Sequence, residues 1–193
     1  MLNYQKLPME NANVVYYPGL FSRQQSDNLF KELFNSINWR HEPIIFFGKE
    51  VLQPRLTAFY GEKGYTYSGI TMHPEIWTPA LLEIKSIIEP LAEVKFNGVL
   101  MNLYRDNNDY MGWHSDNEKE LGENSIIASV SFGETRRFLF RRRDNHNIKR
   151  ELKLAHGDFL IMQGTTQKFW QHQVPKTAKK LAPRINLTFR VIK

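Results

Sequence analysis

The chain of 193 residues contains no cysteine. This absence excludes disulfide bonds, iron–sulfur clusters, zinc sites with thiolate ligands and a cysteine nucleophile. Apolar runs are also short, because none approaches the ~20 residues that a membrane-spanning helix needs. The beginning of the chain, MLNYQKLPMENANVVYY, lacks the basic start and apolar core of a secretory signal. We therefore expect an intracellular protein, cytoplasmic if its source is prokaryotic, without a membrane partner.

Acidic residues become scarce towards the end of the chain. Residues 1–135 hold 11 Lys and Arg against 17 Asp and Glu, whereas residues 136–193 hold 15 against 3. The net charge of +6 therefore combines an acidic part with a strongly basic part. Such a basic region favours a polyanionic partner, and an ordinary solvated surface is the alternative. Two basic clusters are candidates for phosphate contacts: Arg141, Arg142, Arg143, Lys149 and Arg150 form the first, and Lys176, Lys179 and Lys180 form the second.

Helical signals are confined to the first half of the chain. Ser22 can cap a helix over 23–37, where apolar residues recur at helical spacing. Pro79 can open a second helix over 79–94, which we expect to be broken or to end near Pro90. The two helices are separated by a stretch rich in glycine, proline and aromatic residues.

Strand signals dominate from Asn97 onward. Short β-rich runs are bounded there by Gly, Asn and Asp, with few helices between them. This spacing predicts an antiparallel sandwich or barrel. We therefore expect an α+β fold and a single domain over 1–193, with helices in about 1–96 packed on a β-barrel or jelly roll in about 97–193.

The last predicted strand, RINLTFRVI, alternates strictly between polar and apolar residues. Its polar face either meets solvent, as in an ordinary half-buried strand, or binds a ligand. Two arginine forks that bracket an Asn and a Thr suit a small acid with two carboxylates, because each fork matches a carboxylate bidentately. The polar residues of this strand are Arg184, Asn186, Thr188 and Arg190.

Three residues are candidate ligands of one metal ion. His114 and Asp116 are two apart, so in an extended segment both project to one side, and His172 is the third candidate. Two histidines and one carboxylate form the facial triad of non-haem Fe(II) oxygenases, which leaves coordination positions open for a 2-oxo acid and O2. Zinc is a chemical alternative, although a zinc hydrolase would not explain the paired arginines. A serine hydrolase is not supported, because no serine lies in a nucleophile-elbow context.

The order and spacing of these motifs resemble one family. NLY, HSDNE, ASVSFG, RFLFR, LAHGD and APRINLTFR are similar to the AlkB-type Fe(II)/2-oxoglutarate dioxygenases that repair alkylated nucleic acids. The likeness runs from about residue 46 to the end and is nearest to the homologues that prefer double-stranded DNA. It implies a double-stranded β-helix (jelly roll) core with N-terminal helices and a nucleotide-recognition lid.

The resemblance also implies roles for individual residues. His114, Asp116 and His172 would bind Fe(II). The residues that would bind the co-substrate 2-oxoglutarate are Asn102, Tyr104, Arg184, Asn186, Thr188 and Arg190.

The resemblance further implies a set of substrate contacts. In the lid sequence GYTYSG, Tyr65 would contact the flipped nucleotide and Tyr67 would stack on the damaged base, at a position where close relatives carry Phe. Phe47 in FFGK would enter the duplex as part of a hairpin finger. The alternative for these aromatic residues is that they are core residues under a loop.

Three polar residues complete the implied substrate site. Glu118 would read the exocyclic amine of the base. Asn117 would make a polar contact at a position where relatives carry Asp. Arg55 would contact the nucleic-acid backbone or brace the lid.

The implied reaction is the oxidative demethylation of 1-methyladenine and 3-methylcytosine in DNA. It would use Fe(II), O2 and 2-oxoglutarate, and release succinate, CO2 and formaldehyde. We expect a monomer with alkylated DNA as its partner, duplex favoured and single strands or RNA as alternatives. Two other functions stay open: the same chemistry on RNA or a protein side chain, and a non-catalytic β-barrel that binds nucleic acid.

Overall fold

The two predicted helices form, and the residues that begin them are those that the sequence indicates. Helix α1 (Arg23–Ser36) starts with a capping box, in which the Ser22 hydroxyl accepts from the Gln25 N–H and the Gln25 side chain accepts from the Ser22 N–H. Helix α2 (Pro79–Ala92) is capped by Thr78. It continues two residues beyond Pro90, so the expected end near that proline is confirmed.

The computed structural model describes residues 2–46, 49–67 and 70–193, with the backbone alone described for 44–46, 65–67 and 70–72. Its strands are β1 (Gln5–Lys6), β2 (Asn13–Tyr17), β3 (Pro43–Phe46), β4 (Lys49–Leu52), β5 (Leu56–Gly61), β6 (Tyr65–Tyr67), β7 (Ile70–Met72), β8 (Gly98–Tyr104), β9 (Met111–His114), β10 (Ile127–Gly133), β11 (Arg136–Arg142), β12 (Lys149–Leu154), β13 (Asp158–Gln163), β14 (Trp170–Val174) and β15 (Arg184–Arg190). A 3₁₀ turn (Lys119–Leu121) and a short helix α3 (Thr166–Phe169) complete the elements.

The strands form two main sheets and two hairpins. The major sheet has the order β1-β2-β13-β10-β15-β8-β5, and the minor sheet has the order β12-β11-β14-β9. Strands β3 and β4 pair as one hairpin, and β6 and β7 as another. Neighbouring strands in both main sheets are antiparallel. The expected jelly-roll core with N-terminal helices is therefore confirmed. Within the described ranges, no helix is long and apolar enough to cross a membrane.

Two apolar layers hold these elements together. The first layer joins α1 and α2 to one face of the major sheet, through residues such as Leu33, Ile84 and Leu187. The second fills the space between the two main sheets, with Phe140 and Trp170 among its fully buried members. The major sheet is thus covered on both faces.

Strand β15 lies between β10 and β8, near the middle of the major sheet, and all seven of its residues are buried. Its apolar residues belong to the helix-facing layer. Its polar residues therefore point between the two sheets, where a pocket lies. The alternative of a solvent-facing polar side is wrong, because the minor sheet covers it.

Leu33→Ala should lower the free energy of unfolding by about 2–5 kcal/mol, because Leu33 is 0% exposed and its loss leaves a cavity. Leu82→Ala in α2 is the matched control: Leu82 is 48% exposed, and the expected change is within ~0.5 kcal/mol. Urea unfolding followed by circular dichroism measures both. Equal losses would contradict the assignment of the buried helix faces.

Candidate active site

The pocket between the two sheets is built from residues that lie opposite one another on neighbouring strands. On the major sheet, Asn186 is in register with Asn102 of β8 and with Ser131 of β10. Side chains opposite each other in an antiparallel pair lie on one face, so these polar groups converge. The pocket is lined by Leu100, Asn102, Tyr104, Met111, His114, Asp116, Ser129, Phe138, Met162, His172, Val174, Asn186, Thr188 and Arg190.

The predicted metal ligands meet at this pocket. His114 on β9 and His172 on β14 are paired in register, and their ring centroids are 4.2 Å apart. Asp116 follows β9 and is buried. The candidate ligand atoms of the three residues lie within 4.8 Å of one another. The structure therefore brings together the predicted triad.

Asp116 is held as a carboxylate by its neighbours. Arg190 Nη2 donates to Asp116 Oδ1 at 2.5 Å, and His172 Nε2 lies 3.4 Å from Oδ2. Burial alone would raise the pKa of Asp116, but the Arg190 charge and then His172 hold that pKa well below its usual value. An ionised carboxylate is the form that binds a metal.

His114 is also in the form that a metal needs. Its Nδ1 lies 2.8 Å from the Gly112 carbonyl, which favours a proton on Nδ1 and leaves Nε2 for coordination. Burial, followed by the proximity of His172, lowers the pKa of His114 to about 3, so the ring is neutral. The His172 ring is fixed by Phe138, which stacks on it at 5.2 Å between centroids.

Arg184 lies 5.3 Å from the ring of the pocket residue Tyr104 and provides evidence that an anion binds beside it. Its side chain is fully buried, and Nη2 donates to Ser131 Oγ at 2.9 Å. Within the described part of the chain, Nε and Nη1 have no hydrogen-bond partner. Burial lowers the pKa of Arg184 to about 10, so the guanidinium stays charged at neutral pH. A buried charged fork with two unused donors fits a carboxylate.

The other predicted co-substrate residues divide into two groups. Asn102 and Tyr104 line the pocket, and Arg55 Nε donates to Asn102 Oδ1 at 2.6 Å. The amide of Asn186 is already bound inside the protein, since it donates to Ser129 Oγ at 2.8 Å and accepts from Thr188 Oγ1 at 3.1 Å. The structure therefore gives Asn186 a bracing position between strands.

The predicted substrate residues are only partly described. Phe47 lies outside the described residues, and so do the side chains of Tyr65 and Tyr67. Asn117 is exposed and Glu118 is half-buried, both directly after the pocket residue Asp116.

Arg55 is more deeply buried than a contact with the nucleic-acid backbone would require. It is 3% exposed, and its contact with Asn102 places it beside the predicted co-substrate residues. The structure thus places Arg55 behind the pocket, in contact with the lining residue Asn102.

One member of the first basic cluster is structural. Arg142 is buried, and its fork bonds both carboxylate oxygens of Asp144 at 2.7 and 2.6 Å. Its assignment to phosphate contacts is therefore wrong, because an arginine that is buried and paired does not face a polyanion. Arg141 stacks over Trp113 at 4.4 Å, whereas Arg143, Lys149 and Arg150 are exposed.

Several supporting residues were not predicted from the sequence. Ser129 and Ser131 alternate in ASVSFG, and that period of two was a usable signal for a shared face. Phe138 lies in a predicted strand, but no sequence pattern indicates that it packs against His172. Gln167 accepts from the Asp116 N–H at 3.0 Å, and no local pattern indicates this contact.

Comparison with known proteins agrees with this geometry. Residues 13–190 match the model of the 2OG-Fe(II) oxygenase superfamily. The chain is 44% identical over 194 residues to "Alpha-ketoglutarate-dependent dioxygenase alkB homolog 3" of Bos taurus, covering 96% of this chain and 68% of that protein. The chain belongs to the AlkB family of this superfamily. The family uses Fe(II), 2-oxoglutarate and O2, which fits the triad and the buried arginines.

Two further relatives extend the comparison. "DNA oxidative demethylase ALKBH2" of Bos taurus is 40% identical over 203 residues, covering 99% of this chain and 73% of that protein. A solved structure described as "The structure of OsALKBH1" superposes with a TM-score of 0.71 at 19% identity, covering 98% of this chain and 100% of that chain. At that identity the likeness supports the AlkB-like fold alone.

Asp116→Asn should weaken Mn(II) binding by at least about tenfold, because a neutral amide replaces the ionised ligand. Isothermal titration of Mn(II) into the metal-free protein measures the affinity, and circular dichroism checks the fold. His156→Gln is the control, since His156 bonds Gly133 and Asp27 outside the triad and should bind Mn(II) as the wild type does. Unchanged affinity in Asp116→Asn would exclude Asp116 as a ligand.

Proposed function

We propose that this protein demethylates N-alkylated bases in DNA oxidatively, with 1-methyladenine and 3-methylcytosine as substrates. The observation that carries the proposal is the buried Arg184 fork, with two unused donors, on the strand that also supplies Arg190 to the metal triad. Relatives named as a DNA oxidative demethylase and a dioxygenase support the same chemistry. The reaction consumes O2 and 2-oxoglutarate and releases succinate, CO2 and formaldehyde.

The residues present fit both absent groups. His114, Asp116 and His172 would hold Fe(II), leaving coordination positions for the 2-oxo acid and O2. Because Arg190 already bonds the ligand Asp116, it lies at the metal end of the pocket. Arg184, at the other end of β15, would take the distal carboxylate of 2-oxoglutarate.

Asn102 and Tyr104 would complete the co-substrate site. With Asn102 Oδ1 occupied by Arg55, the Asn102 amide nitrogen remains to donate to a carboxylate. Tyr104 faces the same pocket, opposite Arg184 on the neighbouring strand. Thr188 would support these contacts from the polar face of β15, next to the bracing amide of Asn186.

When bound, the iron supplies the oxidant that hydroxylates the N-methyl group, and the hydroxymethyl base then releases formaldehyde. The chain's own task is to hold this centre away from bulk solvent. The triad is braced by buried partners: Arg190 and Gln167 on Asp116, and Phe138 on His172. Such support keeps ligands in one orientation while the open side receives the substrate.

The cationic character of the damaged bases explains the substrate residues. A methyl group on the pairing edge leaves the ring positively charged, and the electron-rich face of Tyr67 together with the carboxylate of Glu118 would favour a cation. Damaged pairs are also weaker than intact pairs, so flipping them out of the helix costs less. Tyr65 and Asn117 would contact the flipped nucleotide from the lid and from the loop after the triad.

We extend the proposal to the finer properties of the protein. Duplex DNA would be the preferred substrate, with Phe47 filling the gap that the flipped base leaves. The exposed residues Arg143, Lys149 and Lys179 would contact phosphates, which requires no base sequence. We propose that the protein acts as a monomer of one domain inside the cell.

Formaldehyde release from a panel of methylated oligonucleotides tests the function. With Fe(II) and 2-oxoglutarate, the wild type should release formaldehyde from 1-methyladenine and 3-methylcytosine in DNA, and Asp116→Asn should release none. Greater release from methylated RNA would favour the RNA alternative. If succinate forms but no oligonucleotide releases formaldehyde, the proposed substrate class is wrong. If neither product forms, the non-catalytic alternative is favoured.

Phe47→Ala should lower kcat/KM on duplex DNA by about tenfold, because an aromatic ring stacked on a base contributes ~1–3 kcal/mol. The effect on single-stranded DNA should be small, since no gap has to be filled. Val51→Ala removes an exposed apolar side chain from β4, the strand that follows Phe47 in the sequence, and serves as control. Equal losses of Phe47→Ala on duplex and single strands would contradict the finger assignment.

A further inference from the structure

Arg136, the first residue of β11, points into the protein and is 2% exposed. Arg137 is its neighbour in β11, and the alternation of the strand alone does not decide which of the two faces inward. Arg137 is exposed and pairs with both carboxylate oxygens of Glu151 at 2.8 Å. The two neighbouring arginines therefore have different environments and different partners.

The Arg136 fork bonds to backbone carbonyls of two separate segments. It donates to the carbonyls of Asp106 at 3.1 Å and Asp109 at 2.7 Å, both between β8 and β9. It also donates to the Pro175 carbonyl at 2.9 Å, directly after β14. One side chain thus connects the segments adjoining the two strands that carry His114 and His172.

None of these hydrogen bonds neutralises the Arg136 charge. The Asp109 carboxylate is bonded by the Arg105 fork, with both distances 2.8 Å, and Arg136 bonds the backbone carbonyl of Asp109 instead. Burial lowers the pKa of Arg136, as it does that of Arg184, yet both guanidinium groups stay protonated at neutral pH. Neither fork has a carboxylate hydrogen-bond partner in the ranges that the structure describes.

Both charges lie against Tyr104, a residue that lines the pocket. The guanidinium carbons of Arg136 and Arg184 each lie 5.3 Å from the centroid of the Tyr104 ring. The two carbons are therefore no more than about 11 Å apart, a distance at which unit charges still interact inside a protein. Two buried positive charges that no carboxylate hydrogen-bonds, among the residues that the structure describes, favour the entry of an anion.

We propose that Arg136 is a positioning residue for 2-oxoglutarate, which holds the Tyr104 ring and adds a second positive charge behind Arg184. This second charge raises the affinity for 2-oxo acids that carry a distal carboxylate. The inference rests on the use of 2-oxoglutarate in the proposed function. Arg136 itself need not touch the ligand, because its fork is occupied by three carbonyls.

The test is direct binding to the Mn(II)-loaded protein, measured by isothermal titration with two ligands. 2-Oxoglutarate carries a distal carboxylate, and 2-oxobutyrate lacks it. Arg136→Gln keeps hydrogen-bond donors but removes the charge, so Kd for 2-oxoglutarate should rise about tenfold, the effect of one partly screened charge near the ligand. Kd for 2-oxobutyrate should change by less than about threefold.

Two further variants separate charge from packing. Arg136→Lys retains the charge but not the three carbonyl bonds of the fork, so its Kd for 2-oxoglutarate should lie between those of the wild type and Arg136→Gln. Arg137→Gln removes the neighbouring exposed charge and should bind as the wild type does. For a variant that is partly unfolded, the folded fraction is measured as a function of 2-oxoglutarate concentration. Because the ligand binds the native state alone, this titration also gives its Kd.

Three results would overturn the inference: unchanged 2-oxoglutarate binding in Arg136→Gln, equal weakening of both ligands, or equal loss in the Gln and Lys variants. Failure of the wild type to bind 2-oxoglutarate at all would instead overturn the proposed function. The two failures are therefore distinguishable in one set of titrations.

Discussion

Strand β15 has no solvent-facing side, and the rest of the molecule is arranged around that constraint. Its apolar residues pack under the helices, and its polar residues end in the space between the sheets. Charges at such depth cost several kcal/mol each unless partners compensate them. Arg190 forms an ion pair with Asp116. This ion pair joins the major sheet to the loop that follows β9.

The two arginines of β15 meet this cost differently. Arg190 is compensated within the protein, and its partner is thereby fixed as a charged metal ligand. Arg184 bonds the Ser131 hydroxyl and lies beside Tyr104, and no carboxylate of the described residues hydrogen-bonds it, so its charge can take a ligand from outside. The strand therefore completes the core, and its buried Arg184 charge favours the binding of an anion. Any anion that satisfies Arg184 will also stabilise the folded chain, since it binds the native state alone.

Local patterns predicted the parts of the structure that depend on neighbouring residues. The period of two in RINLTFRVI predicted β15, Ser22 and Pro79 marked the helix starts, and the spacing of His114 and Asp116 predicted two adjacent ligands. The place of His172 in the same site rested on the resemblance to a family, because only the pairing of β14 with β9 brings it there.

Contacts between distant segments were beyond the reach of the sequence. Arg142 stands in a run of basic residues, yet the packing around β11 buries its side chain and makes it structural. Alternation could not decide between Arg136 and Arg137, since that requires knowing which face of β11 the major sheet covers. Gln167 reaches Asp116 only because α3 folds back on the loop after β9. These features follow from sheet order, which no local pattern encodes.

The position of β15 also has a consequence for synthesis. It follows every other described strand in the chain, yet it is inserted between β10 and β8. Until residues near 190 have left the ribosome, those two strands lack the neighbour that joins them, and the major sheet stays divided. Such late, long-range pairing is slow and leaves strand edges open. A nascent or truncated chain that lacks β15 therefore has neither a continuous major sheet nor the two arginines of the co-substrate pocket.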